Sequence, residues 1–460
     1  MKKFIILPTQ LFKDIKILKD YDIVYLIEDT YYLNSKFHKQ KLLLHISSLN
    51  YYYDYLVDND INVKYINFNN DKYDKFLKKK DYITMYDPID KEIIKKLKTF
   101  NVIYLETPLF INTNEELLDY KNSKNTDRFT NSDFYKLQRK KLDILMKNES
   151  TPLFNQWSFD KNNRNAFDKG YAEYEPKTYN NKYIEDGKKY ITKHFKNAFG
   201  NLDKVYYPNT HKLAEAHLND FIEYKIIYFG KYQDSISKEV IYGNHSNISS
   251  LLNIGLLTPQ YVIKVIMNYF NKYKNKKSII DSVEAIIRQI ISWREYMRFM
   301  YVYYTNNIIK YNPIKNNKSI PKSWYIGNTP LEILNHYIDK VKNYAYLHHI
   351  ERLMIINNIF IISEIKFTDI YKWFMICFID SYDWVMVPNI YMNLSSLNKN
   401  IKYMKKIYLV SDNYIKKMSD FKNKDDFEII NKLYWDFIKK NKNILKHEYS
   451  IKSQVNRILN

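Results

Sequence analysis

The spacing of apolar side chains changes character about a quarter of the way along this 460-residue chain, and that change constrains the fold more than any other feature. Early on, apolar residues come in short runs rich in β-branched and aromatic side chains: Lys3–Leu7, Ile23–Ile27, Val63–Ile66, Tyr82–Tyr86 and Val102–Leu105. Such runs predict buried strands, and the helical period of the intervening Lys41–Asn59 and Lys91–Lys98 completes a doubly wound parallel sheet over residues 1–115. From about Thr210 the helical period takes over, in Ala214–Tyr228, Pro259–Tyr273, Ile279–Tyr304, Pro330–Asn343, Tyr346–Ile362, Phe367–Ile379 and Phe427–Lys439. The fold class is therefore α/β then all-α, with a helical domain over 196–460. Residues 116–195 between them are polar, with one predicted basic helix, Asp133–Lys147. A connection of that length lies over a surface and tends to be functional.

Only seven glycines occur, the first at Gly170, so the sheet region can hold neither a G-x-G-x-x-G turn nor a Walker loop. One cysteine, Cys377, leaves no internal disulfide and no Cys-rich metal site. Lys+Arg exceed Asp+Glu by 72 − 51 = 21, which favours a polyanionic partner, nucleic acid before an anionic membrane. With no long apolar run, the expectation is a soluble, intracellular monomer, in cytoplasm, nucleoid, nucleus or virion according to source.

Several motifs carry chemistry, each with a plainer alternative. His348 and His349 are adjacent, so on a helix one imidazole can face a pocket while the other braces it, as proton transfer requires; two structural histidines at a helix edge are the alternative. Trp293-Arg294-Glu295-Tyr296 reads as a core Trp with an Arg–Glu pair, or as a stacking platform for a base. His245–Leu256 combines hydroxyls and amides with a helix start, serving as a cap or a phosphate site. Asp133–Lys141 is a basic stripe with aromatics, a solvated face or a nucleic-acid contact.

Taken in order, the segments Trp157–Arg164, Phe229–Asp234, His245–Leu257, Ile287–Tyr296, His348–Met354 and Trp384–Asn389 resemble the W-N-F-D-x-x-N-R, F-G-x-Y-Q-D, H-S-x-[IL]-S-x-x-L-N-x-G-L-L, I-R-Q-I-L-G-W-R-E-Y, H-H-I-[QE]-R-L-M and W-V-E-x-P-N motifs of the photolyase/cryptochrome superfamily. Within it the chain resembles the prokaryotic (6-4) photolyase-like clade, the iron–sulfur bacterial cryptochromes and photolyases. The resemblance implies FAD bound in the helical domain and UV-damaged DNA as partner, with the dimer flipped out to receive an electron from the light-excited reduced flavin. It places flavin contacts at Ser246, Ile248, Ser249, Gln289, Arg294 and Asp380, with Met386 where the family has a Glu facing flavin N5. His348 and His349 match the proton-donating pair of (6-4) enzymes. Electron relay falls to Trp373, with Tyr325 at a family Trp position; Glu28 matches the acid that binds a lumazine-type antenna. DNA contacts fall to Arg139, Lys140, Trp157, Arg164 and Trp293.

The family's four cluster cysteines are replaced by Ile333, Lys422, Asp425 and Glu428, so no iron–sulfur cluster is expected and an ion pairing among the last three is the expected substitute. The function implied is light-driven repair of pyrimidine dimers, (6-4) photoproducts foremost. The alternatives are a cyclobutane dimer photolyase, a cryptochrome-like photoreceptor without repair activity, and an FAD-free nucleic-acid-binding relic.

Overall fold

The computed structural model describes residues 1–70, 72–124, 128–163, 165–273, 277–397, 403, 404 and 406–459. Five strands, β1 (Lys2–Ile6), β2 (Ile23–Ile27), β3 (Val63–Ile66), β4 (Tyr82–Tyr86) and β5 (Val102–Leu105), form one parallel sheet in the order β3-β2-β1-β4-β5. β1 is central, with Phe4 opposite Val24 on one side and Thr84 on the other. Phe4, Ile5 and Ile6 are buried, as a strand covered on both faces requires. The crossovers run through helices Lys39–Val57 and Lys91–Leu97. Strand positions follow the sequence reading to within one residue.

The connection holds more helix than its composition suggests. Asn114–Asn122 forms behind a capping box in which Thr113 and Glu116 satisfy each other's backbone N–H groups. Asn131–Leu142 starts at Thr130 and stops at left-handed Asp143, short of the predicted Lys147. Lys182–His194, capped by Asn181, lies against Lys39–Val57; a Cβ on Gly187 would come within 2.7 Å of Leu43, so glycine sets the approach.

In the helical half, the stretch predicted as one helix over Ile279–Tyr304 is three segments. Lys277–Arg288 and Glu295–Lys310 are α-helical, and Gln289–Arg294 between them is a π turn. Two more π turns cover Phe221–Lys225 and Glu351–Asn357. The predicted helix Tyr346–Ile362 begins only at His349, because left-handed Ala345 ends the preceding helix and Tyr346–His348 continue without helical bonds.

The C-terminal helix Lys424–Leu445 is tied to helix Glu332–Tyr344, but not by the expected Lys422, Asp425 and Glu428. The link runs through Asp426, whose carboxylate accepts from the backbone N–H groups of Glu332 (2.9 Å) and Ile333 (2.7 Å). Asn423 caps its own helix and donates to Glu332, which also pairs with Lys238. Among the described residues no helix is long and apolar enough to cross a membrane.

Candidate flavin and nucleic-acid site

A cavity of about 290 Å³ lies within the helical half, walled by the π turns Gln289–Arg294 and Glu351–Asn357, the His245–Asn253 segment and the Asp380–Ile390 segment. Ser246, Ile248, Ser249, Gln289, Arg294, Asp380 and Met386 all line it, with Trp293 and His349. Residues spread over 140 positions are thus brought to one surface. Trp293, four residues from Gln289, would share its face on any helix, and the i→i+5 bonding of the π turn widens the helix so that Arg294, five residues away, shares the wall as well. A larger cleft of about 820 Å³ shares Gln289, Trp293, His349 and Asn389 with this cavity and continues past Tyr135, Ser158, Asp160 and Arg288.

Two polar settings dominate the inner cavity. Asp380 accepts from Ser249 (2.7 Å) and from both terminal nitrogens of Arg352 (2.8 and 3.2 Å). Arg294 is clamped between the Phe110 and Trp384 rings and donates to Leu109 O, Leu252 O and Asn253 Oδ1; burial lowers its pKa to about 10. The Oδ1 atoms of Asn247 and Asn357, both on the wall, are buried without a hydrogen-bond partner among the described residues. Orphaned acceptors are costly, and the imide, hydroxyl and amino donors of a flavin nucleotide match that need. The mostly apolar wall between them suits a fused aromatic ring. The residues therefore fit FAD.

The histidine pair divides as adjacency requires. His349 opens onto the cavity, its ring edge-on to Trp293 at 6.1 Å. Crowding by protein atoms, then the Arg352 charge, lowers its pKa to about 4, so it meets the cavity neutral, not poised near pH 7. His348 does not reach the cavity. It is buried and stacked on His245 at 4.7 Å, with its backbone N–H on Glu351, which in turn holds Lys340 at 2.6 Å. Burial pushes its pKa well down, and the structure places His348 behind the cavity wall, away from where the expected proton donor would meet a lesion.

The other expected positions separate. Trp373 is fully buried; Phe374 beside it lines the cavity, and Trp373 Nε1 donates to Trp324 O at 3.1 Å. Phe360 bridges the two indoles, 5.2 Å from Trp373 and 5.1 Å from Trp324. The aromatic path therefore runs through Trp324, one residue before the expected Tyr325. Arg139 is not on a DNA-facing surface. It is 1% exposed, and its guanidinium donates to the carbonyls of Ile144, Leu145, Gln156 and Trp157, fixing the turn after its helix. Lys140 is exposed near the half-buried Trp157 ring, at 5.9 Å. Arg164 lies outside the described residues. Glu28 is 2% exposed, its oxygens accepting from Tyr65 OH, Tyr190 OH and Phe68 N, so it clamps the Lys182–His194 helix to the sheet; an open carboxylate is not what it presents.

Arg352, Asn247, Asn253 and Asn357 are wall residues that sequence reasoning missed. All but Asn357 fall inside segments the motifs had already marked, so the signal was present for three of them.

Residues 4–207 match the family described as deoxyribodipyrimidine photo-lyase-related protein. The chain is 30% identical over 333 residues to a (6-4) photolyase of Agrobacterium fabrum, covering 69% of this chain and 64% of that one, just under two thirds of the relative's length. It is 32% identical over 181 residues to an uncharacterized protein of Acanthamoeba polyphaga mimivirus, covering 35% of this chain and 92% of that one. The fold superposes on a bacterial class III photolyase from Agrobacterium tumefaciens with TM-score 0.53 at 14% identity, covering 89% and 82% of the two chains. The π-walled cavity and its collinear motifs agree with these matches: the chain is similar in sequence to photolyase-related proteins, with residues 4–207 matching that family, and it has a photolyase fold.

Proposed function

We propose that the protein is a light-driven DNA photolyase that uses FAD to repair UV-induced pyrimidine dimers, (6-4) photoproducts foremost. The observation that carries this reading is the shared wall of the two cavities. Trp293 and His349 stand where the inner, FAD-compatible cavity opens into the outer cleft, so a base flipped into the cleft would stack on an indole and meet an imidazole. Bound there, FAD supplies the electron that a dimer needs to split.

The chain's own groups supply the rest. Ser249 and Arg352 hold the Asp380 carboxylate at the inner wall. His349 faces the cleft as a neutral imidazole whose N–H can donate a hydrogen bond to a lesion oxygen, and DNA phosphates entering the cleft raise its proton affinity toward that needed for acid catalysis. His348, stacked on His245, keeps that ring aimed. Trp373 and Trp324 form a path for recharging the cofactor toward the surface, since Trp324 is half-buried. Lys140 and Lys136, each within 6 Å of the Trp157 ring, offer positive charge to the DNA backbone. The Asp426 link supports a helical half held together without an iron–sulfur cluster.

Two other readings remain distinct. Cyclobutane dimer repair needs the same electron and no acid. A photoreceptor without repair activity draws support from Met386, whose thioether cannot exchange protons on the cavity wall where the family Glu does. Illumination of the purified protein with defined (6-4) and cyclobutane oligonucleotides decides among the three. Repair of the first supports the proposal, repair of only the second moves the protein to the cyclobutane class, and repair of neither makes it a receptor.

A further inference from the structure

Lys41 is the one fully buried lysine side chain among the largest buried groups, and nothing in the proposed chemistry uses it. It projects from helix Lys39–Val57, on the sheet-bearing part of the chain, into the helical half. Its Nζ donates to Ser381 O at 2.5 Å and lies 4.0 Å from the Phe37 ring centre and 4.9 Å from that of Tyr382. One carbonyl and two ring faces are poor replacement for the water an ammonium loses on burial. Its other favourable partners, Asp380 and Asp90, act at longer range.

The contact falls at a sensitive place. Ser381 follows Asp380, the carboxylate that lines the inner cavity, and Asn253 grips the Asp380 carbonyl from the other side at 3.0 Å. The charge of Lys41 thus sits directly behind a wall already faced by Arg294 and Arg352. We propose that Lys41 is a positioning residue for the cofactor cavity. Its protonated form holds the Asp380 turn and favours an anionic dinucleotide, so that loading of the cavity is coupled to uptake of a proton by Lys41. The proposal rests on the reading of the cavity as an FAD site.

Burial lowers the Lys41 pKa to about 7, within reach of ordinary pH changes. The groups facing it are few. Asp90 accepts from Tyr31 and Tyr32 and is itself raised to about 7 by burial. His45, bonded to Tyr382 OH, is lowered to about 3 and stays neutral. Asp383 is held by Tyr301 and Tyr371. Asp90 is therefore the competing titrating group. An anionic ligand restores the lysine's proton affinity, so above about pH 7 binding must take up a proton and affinity must fall as pH rises, up to tenfold per pH unit.

Release of FAD from the purified holoprotein, followed by the rise in flavin fluorescence between pH 6 and 9, tests this. Wild type should show affinity nearly constant below pH 7 and falling up to tenfold per unit above it. Lys41→Met should lose the slope and bind weakly throughout, Lys41→Arg should lose the slope and bind well at pH 9, and Asp90→Asn should keep it. Proton uptake on rebinding to wild type, read with an indicator dye at pH 8, needs no variant and should approach one per FAD. A flat wild-type profile, or a slope that survives Lys41→Met and vanishes in Asp90→Asn, overturns the coupling while leaving FAD binding intact. A protein that binds no FAD overturns the function proposed above as well.

Discussion

Removing the Asp426 carboxylate should loosen the C-terminal third of the molecule, and the size of the effect can be worked from two distances. Asp426 is 3% exposed and accepts from two N–H groups, those of Glu332 at 2.9 Å and Ile333 at 2.7 Å, in the first turn of helix Glu332–Tyr344. Hydrogen bonds to a charged group contribute roughly 1.5–3 kcal/mol each, and a carboxylate at a helix N-terminus adds about 0.3–1 kcal/mol. The two bonds share one side chain and are not additive, so Asp426→Ala should cost about 3–4 kcal/mol. Asp426→Asn keeps one acceptor and should cost about half as much. Asp425 and Glu428 are exposed, and their alanine variants should change stability by less than about 0.5 kcal/mol. Urea unfolding gives the totals, and hydrogen exchange at the Glu332 and Ile333 amides reports the local event. If Glu428→Ala cost as much as Asp426→Ala, or if Asp426→Ala cost less than about 1 kcal/mol, the link assigned here would be wrong.

Three further outcomes follow from the site. His349→Ala should abolish (6-4) repair under illumination while leaving lesion affinity within about 1–2 kcal/mol, the pattern of a group that acts in the transition state; undiminished repair in the variant would remove the imidazole from the chemistry. Trp373→Phe should slow photoreduction of bound FAD far more than Tyr325→Phe, with Trp324→Phe close to Trp373→Phe because Phe360 links the two indoles; a dominant effect of Tyr325→Phe would redirect the path. DNA affinity should fall steeply with salt, and Lys140→Gln should lower the log–log slope by roughly one. Arg139→Ala should leave that slope unchanged and lower stability by about 3 kcal/mol, because its donors face carbonyls and not solvent.

What the sequence disclosed depended on whether the signal was periodic. The five strands are legible because short β-branched runs leave no other way to bury themselves, and strand limits fall within a residue of the pattern. Helix Asn114–Asn122 is not, because its stability comes from the Thr113–Glu116 box and a few apolar contacts and not from a long stripe. The DNA-facing assignment of Arg139 failed for a related reason: a cation flanked by lysines on a basic helix looks solvated, and only the fold shows the turn at Asp143 bringing two carbonyls onto it and the Gln156–Trp157 segment two more. Glu28 likewise shows nothing in its neighbours to announce three donors from remote segments.

The cavity itself was legible residue by residue but not as a shape. Motif matching collected Ser246, Gln289, Arg294, His349 and Asp380, yet an α-helical period through Ile279–Tyr304 would turn Arg294 well away from Gln289. The π turn at Gln289–Arg294 removes that conflict, and the one at Glu351–Asn357 similarly brings Arg352, Leu353 and Asn357 onto the opposing wall. Each such turn inserts a residue into the helix at some cost in backbone geometry, and such insertions recur at functional sites. Two of them facing each other across one cavity, with orphaned Asn247 and Asn357 oxygens between, mean that the helices here are shaped around a ligand and not around their own packing. A variant that restores α-helical register, by deleting Ile291, should therefore raise helix stability locally and abolish flavin retention, whereas a deletion in the exposed Lys78–Lys80 turn should leave flavin bound. Retention of flavin by the first deletion would show that the π turn is incidental to the site.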